Sequence, residues 1–238
     1  MPGARIAVAA LAVGAVCALS GCGSTAYVPL TAANLGAQLS AATKDLHTAH
    51  EISTGNGSTT TIDFDNSGTL KYRLTQSAGG TTAAQSLIGI GADRYVQESG
   101  VTPAGKWLKV SSSTGLRVIT FNDLNPVAMV VRFNKGLKSF AYIGPDKIDG
   151  AQVQHYRITI DQQKYLDATG QGIGSANLGS SQTLTEDLYL NDDNTPRRVK
   201  LTLPGGVGDT QVDITGWGKS ITIEAPPASA VITSLSKK

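Results

Sequence analysis

Cysteine is almost missing from this sequence. Cys17 and Cys22 are the only two among 238 residues, and both lie near the start, so a disulfide framework is excluded and cohesion has to come from a core. Long apolar runs are equally scarce. Ile6 to Leu19 is the one uncharged stretch of note, 14 residues, short of the ~20 that a spanning helix needs. No sign of charge dominates: 20 Lys and Arg stand against 18 Asp and Glu, without a basic patch of the density that nucleic acid requires. Only three histidines occur, His47, His50 and His155. His47 and His50 are spaced for one helix face but have no third ligand nearby, so all three read as surface or hydrogen-bonded polar residues.

Motifs of catalysis are absent as well. There is no G-x-S-x-G elbow to seat a serine nucleophile. Gly170-x-Gly172-x-Gly174 lacks the strand and helix that would make it a phosphate loop. Asp63-x-Asp65-x-Ser67-Gly68 opens like a calcium loop, but position twelve is Leu74 where a bidentate Glu belongs. A hairpin turn accounts for it. Glu186-Asp187 are neighbours that a strand sends to opposite faces, and Asp192-Asp193 lie in a turn. The expectation is a protein that is not an enzyme and has no metal or cofactor.

What is present begins at the N-terminus. Arg5 precedes the uncharged stretch, and Leu19-Ser20-Gly21-Cys22 follows it. The length and flanks are those of a signal peptide, and L-S-G-C directly after it is a lipobox. Residues 1–21 are therefore expected to be cleaved, with Cys22 carrying a diacylglyceryl thioether at the new N-terminus. The product is anchored to the outer face of the cell membrane rather than spanning it. Residues 22–33 form the lipidated end and tether. Its segment 23–30 reaches roughly 26 Å when extended.

Periodicity organises the rest. Leu35, Leu39, Ala42, Leu46 and Ala49 fall at steps of four and three, predicting an amphipathic helix over 34–50 with Asn34 as its N-cap. The period then becomes two. Ile62 and Phe64, a turn at 65–68, and Leu70, Tyr72 and Leu74 predict a hairpin. Strands are expected at 84–90, 94–98 and 106–111. Asn125-Pro126 is a helix-start signal, and 122–140 reads as two short helices or one kinked helix. A strand at 150–161, a short helix at 162–168, a Gly/Ser loop at 169–182, a hairpin over 183–205 and strands near 212–215 and 220–224 complete the chain. The sum is one antiparallel α+β domain, 34–227, with eight to eleven strands, two or three helices and a frayed tail at 228–238.

In this order the lipobox, "TAHEIS" (48–53), "FNDLNPVAMVVRFNKGL" (121–137), "KIDGAQVQHYRITID" (147–161), "DDNTPRRVKLTL" (192–203) and "DITGWGKSITIEAPPAS" (213–229) resemble the actinobacterial LppX/LprG-type lipoproteins, whose fold is similar to that of LolA and LolB. The resemblance implies an incomplete antiparallel β-barrel wrapped around inserted helices, with an apolar cavity for acyl chains. It implies a multi-acyl lipid or lipoglycan as ligand, carried from plasma membrane toward the outer envelope, with an envelope transporter or acceptor protein as partner. A regulatory, protein-binding role of the RseB type on the same scaffold stays open. Tyr72, Leu74, Val130, Tyr156, Ile158 and Leu188 are the candidate cavity lining. Arg132, Lys135 and Lys138 are either headgroup contacts or a solvated face.

Overall fold

The computed structural model describes residues 27–79, 84–110, 119–169, 183–204 and 208–235. The leader, Cys22 and nearly all of the expected 169–182 loop lie outside them. Among the described residues twelve strands form one sheet: β1 (Thr48–Gly55), β2 (Ser58–Asp65), β3 (Lys71–Ala78), β4 (Ala84–Ile90), β5 (Asp93–Glu98), β6 (Trp107–Val110), β7 (Leu137–Ile148), β8 (Ala151–Asp161), β9 (Thr183–Leu190), β10 (Pro196–Thr202), β11 (Asp209–Thr215) and β12 (Val231–Ile232). The order is β12-β6-β5-β4-β3-β2-β1-β11-β10-β9-β8-β7, an open sheet ending on β12 and β7. Every pairing is antiparallel except β12 with β6. Two meanders of neighbouring strands thus meet at one long-range seam, where β1 pairs with β11.

Alternation decides which face is buried. Phe64 lies opposite Tyr72, Val199 opposite Leu188, and Leu188 opposite Tyr156. These residues point into one apolar layer with Ile158, Ile160, Leu184, Leu190 and Ile214. Helices cover this interior face: α1 (Leu35–Thr43), α2 (Phe121–Leu124) and α3 (Pro126–Phe133), with α4 (Gln162–Thr169) at its margin. Leu35, Leu39, Val127, Val130 and Phe133 supply their side of the layer. Each such fully buried side chain is worth about 1.5–3 kcal/mol. α1 and α3 meet closely, since a Cβ on Gly36 would stand 3.4 Å from Val131.

Several expectations need correction. The first helix stops at Thr43, and Thr48–His50 belong to β1. Asn34 makes no side-chain cap bond to that helix; its Oδ1 accepts instead from the Thr31 amide at 2.7 Å. Leu137 and Phe140 lie in β7, not in a helix. Ser220–Glu224 is not a strand; Ile221 and Ile223 pack with Ile88, Tyr95 and Trp107 in a second cluster, on the outer face of β4 to β6. The tail is not wholly frayed, because Val231–Ile232 pair with Trp107–Leu108 and the Lys106 ammonium donates to the Ser229 carbonyl at 2.8 Å. The 122–140 segment does begin as two helices. Asn125 caps the second, accepting from the Val127 amide at 3.0 Å, with Pro126 at its first position.

Candidate functional site

Five of the six candidate lining residues meet in one place. Tyr72 of β3, Tyr156 and Ile158 of β8, Leu188 of β9 and Val130 of α3 share the layer between sheet and helices. Leu74 lies on the same face, two positions from Tyr72 and opposite Ile62, but is only half-buried. Tyr156 is the hub. Its ring packs against Phe140 at 5.4 Å and Tyr142 at 5.2 Å. Its hydroxyl accepts from the Leu30 amide at 2.9 Å and lies 2.6 Å from the Tyr27 hydroxyl. Tyr27 donates to Asn194 Oδ1 at 3.1 Å, so Tyr156 is the donor between the two phenols. Burial, then the Tyr156 hydroxyl, hold the Tyr27 phenol well above its ordinary range. The second half of the expected 22–33 tether is therefore not free chain: from Tyr27 on it is strapped to the rim of the interior, with Leu30 buried.

The basic trio does not converge. Arg132 donates to the Asn122 carbonyl of α2 at 3.2 Å, Lys138 reaches Thr183 of β9 at 3.3 Å, and Lys135 is exposed. The ionisable groups that do face the interior are not among the candidate site residues, although alternation already sets Glu186 on the opposite face from Asp187. Glu51 sits on β1 between Ile62 and Ile214. Glu186 sits on β9 between Ile158 and Leu201. Glu51 Oε1 and both Glu186 oxygens have no hydrogen-bond partner among the described residues. Burial pushes each carboxyl up to about 8, and neighbouring Asp187 adds to the push on Glu186. Arg94 of β5, 5% exposed, also turns inward, its Nε donating to the Tyr72 hydroxyl at 3.2 Å. The available signal was parity: Glu186 alternates in step with Leu184, Leu188 and Leu190.

On the outer face Asp187 accepts from Arg157 Nε at 2.8 Å and lies 2.8 Å from His155 Nε2, with the His155 ring stacked on Tyr189 at 4.3 Å. Burial alone would raise the Asp187 pKa, but the bonds from Arg157 and His155 outweigh it and the net direction is down. Glu186 and Asp187 thus take opposite faces. His50 pairs with Asp63 at 2.6 Å, and Asp65 accepts from the Ser67 amide at 2.9 Å, as a hairpin turn uses it. Among the described residues no three His, Cys, Asp or Glu gather as a metal site.

Surface clefts lie elsewhere. One of about 260 Å³ is bounded by Lys44, His47, Phe121 and Trp217. A second of about 270 Å³ adjoins Asp65 and Lys219, and a third of about 290 Å³ borders Gln97 and Thr102. None is lined by the six candidates, and each falls just short of the roughly 300–1,000 Å³ usual for small-molecule pockets.

No protein-family model matches the sequence, and no curated protein matches it. Solved structures do. LprF from Mycobacterium bovis superposes with a TM-score of 0.59 at 18% identity, covering 82% of this chain and 96% of that one. The lipoprotein LppX from Mycobacterium tuberculosis gives 0.53 at 16% identity, covering 82% of this chain and all of the other. The fold is therefore that of LprF and LppX, an unclosed antiparallel sheet with few helices, as the sequence resemblance implied.

Proposed function

We propose that this chain is an envelope lipoprotein, held at the outer face of the cell membrane through Cys22, that takes the acyl chains of a lipid or lipoglycan between the sheet and its helices and assists their passage toward the outer envelope. The observation that carries this reading is the layer itself. An open sheet turns one apolar face inward, and helices cover it through side chains alone. Moving a chain of ~16 carbons into water costs about 13 kcal/mol, at ~0.8 kcal/mol per methylene. A carrier need only offer a dry surface of equal apolarity. Loading displaces the joined α1–α3 cover and exposes Val130, Tyr156, Ile158 and Leu188 to the incoming chain.

The small size of the described clefts favours a second reading, a regulatory lipoprotein whose packed interior serves only as scaffold for a protein partner. One experiment separates the two. The full chain is reconstituted in phosphatidylcholine vesicles containing palmitoyl lipids and released into the gas phase for native mass spectrometry. The carrier reading expects a protein mass with one or more lipids bound, beyond the covalent anchor. A lipid-free mass at every lipid load, with a stoichiometric envelope protein captured by cross-linking, would establish the second. The anchor has its own check: Cys22→Ser should move the protein from the membrane fraction to the soluble one.

A further inference from the structure

Arg94 is a cation on the wrong side of a sheet. The ladder places it beside Gly89 of β4 and Val110 of β6, on the face that carries Tyr72 and Phe64 into the core. A guanidinium taken out of water into an apolar layer needs an anion or several acceptors to offset the lost hydration. Three other strand arginines are paired, Arg157 with Asp187, Arg197 with Asp149 and Arg198 with Asp213; Arg73 has no such partner among the described residues, but it is only half-buried. Arg94 forms no ion pair among the described residues. The interior carboxyls Glu51 and Glu186 lie on β1 and β9, and β1 alone is four strands away, roughly 19 Å. Glu98, four residues along β5 or about 13 Å, is taken by Gln85.

The surroundings of Arg94 are shaped for more than packing. A Cβ on Gly89 would clash with Cε1 and Cζ of the Tyr72 ring, so glycine is what lets that ring lie across β4 and carry its hydroxyl to Arg94. The hydroxyl accepts from Nε and keeps its own proton to donate. The two terminal nitrogens of the guanidinium keep their four N–H groups, a fork that fits a phosphate or carboxylate bidentately.

We propose that Arg94 and the Tyr72 hydroxyl form an anion site on the interior face, so that the ligand is an acidic amphiphile whose phosphate or carboxylate head is drawn inside the sheet rather than left with Arg132, Lys135 and Lys138. The inference rests on the carrier reading and narrows its ligand class. Charge-assisted hydrogen bonds of this kind correspond to a roughly 10- to 100-fold preference.

The test offers the full chain equal amounts of palmitoyl lysophosphatidic acid and monopalmitoyl glycerol in phosphatidylcholine vesicles, with bound lipid read by native mass spectrometry. Wild type should enrich the phosphate-bearing lipid 10- to 100-fold. Arg94→Met should abolish the preference, keep monopalmitoyl glycerol and raise the Tm of the lipid-free protein, because an unpaired buried ion has gone. Arg94→Lys should keep the charge and lose part of the preference. Tyr72→Phe should weaken it less. Equal binding of both lipids by wild type overturns the proposal and leaves the carrier reading intact, whereas binding of neither removes both. A lower Tm in Arg94→Met with the preference retained makes Arg94 a structural residue and also overturns it. A third arm adds inorganic phosphate alone: no thermal shift at millimolar levels supports a lipid headgroup, and binding as tight as that of the lysolipid overturns the lipid source.

Discussion

Glu186 and Glu51 hold their protons at neutral pH because nothing within the apolar layer stabilises their charge. In the unfolded chain both titrate near 4.5, and in the fold near 8. The folded state therefore binds more protons between those values. Their contribution to stability is intact below about pH 4.5 and is lost as pH rises toward 8, with a slope of at most about 1.4 kcal/mol per pH unit for each carboxyl. Asp187 moves the opposite way, but its window lies below its ordinary 3.8 and does not interfere. Urea unfolding should thus show a protein less stable at pH 7.5 than at pH 5.5. Glu186→Gln should flatten that difference, and Glu51→Gln should flatten it further. An unchanged slope in the double variant would show that the two acids are ionised inside the fold.

Among the elements, α3 depends most on a single side chain. Asn125 closes its first turn through the bond to the Val127 amide, and Asn125→Ala should cost about 1 kcal/mol in chemical denaturation, with hydrogen exchange rising first at Val127 to Met129. This helix was legible because cap and proline stand together in sequence. The hairpins β2–β3 and β9–β10 were legible for a similar local reason, apolar alternation on both sides of a turn. The start of β1 was not. Ala49 continues the three-and-four spacing of Leu35 and Leu39, yet it is buried as a strand residue, because pairing with β2 and β11 outweighs helix propensity. β7 was hidden by its own irregularity. Register shifts at Leu137/Ser139 and Tyr142/Gly144 space Leu137, Phe140 and Tyr142 by three and then two, which imitates a helix face. β12 has two residues, and no local signal marks a pairing set by distant Trp107. Alternation grouped Tyr72, Tyr156, Ile158 and Leu188 on single strand faces without saying which face is buried, and the structure places them in the core. Arg94 was not legible, because Tyr95 beside it also looks like a core residue and does enter a core, the smaller one on the other face.

At the scale of the whole molecule, the strap at Tyr27 sets orientation. Four residues lie between Cys22 and Tyr27, five steps of chain that reach at most about 18 Å, and Tyr27 is held at Tyr156 and Asn194. If Cys22 carries the proposed anchor, the end of the sheet with the 191–195 turn is the one held toward the bilayer. The β1–β2 turn, at Asn56 and Gly57 with positive φ, points away. A fluorophore at Asp193 should transfer energy to a headgroup acceptor more efficiently than one at Asn56 in reconstituted full-length protein. Tyr27→Ala, by freeing the strap, should shrink the contrast. Equal transfer from both sites in wild type would mean that the body tumbles freely on its tether.

The seam between β1 and β11 has a consequence for biogenesis. His50 finds Thr215 across the ladder, so the earliest strand of the sheet must wait for almost the last. In the export that the proposed function entails, the first meander crosses with both edges bare, β1 awaiting β11 and β6 awaiting β12. Bare edges invite pairing with other chains, and distant contacts make such a topology slow to complete. Shielding those margins until the C-terminal quarter of the chain is available would then govern how much of the protein completes its sheet.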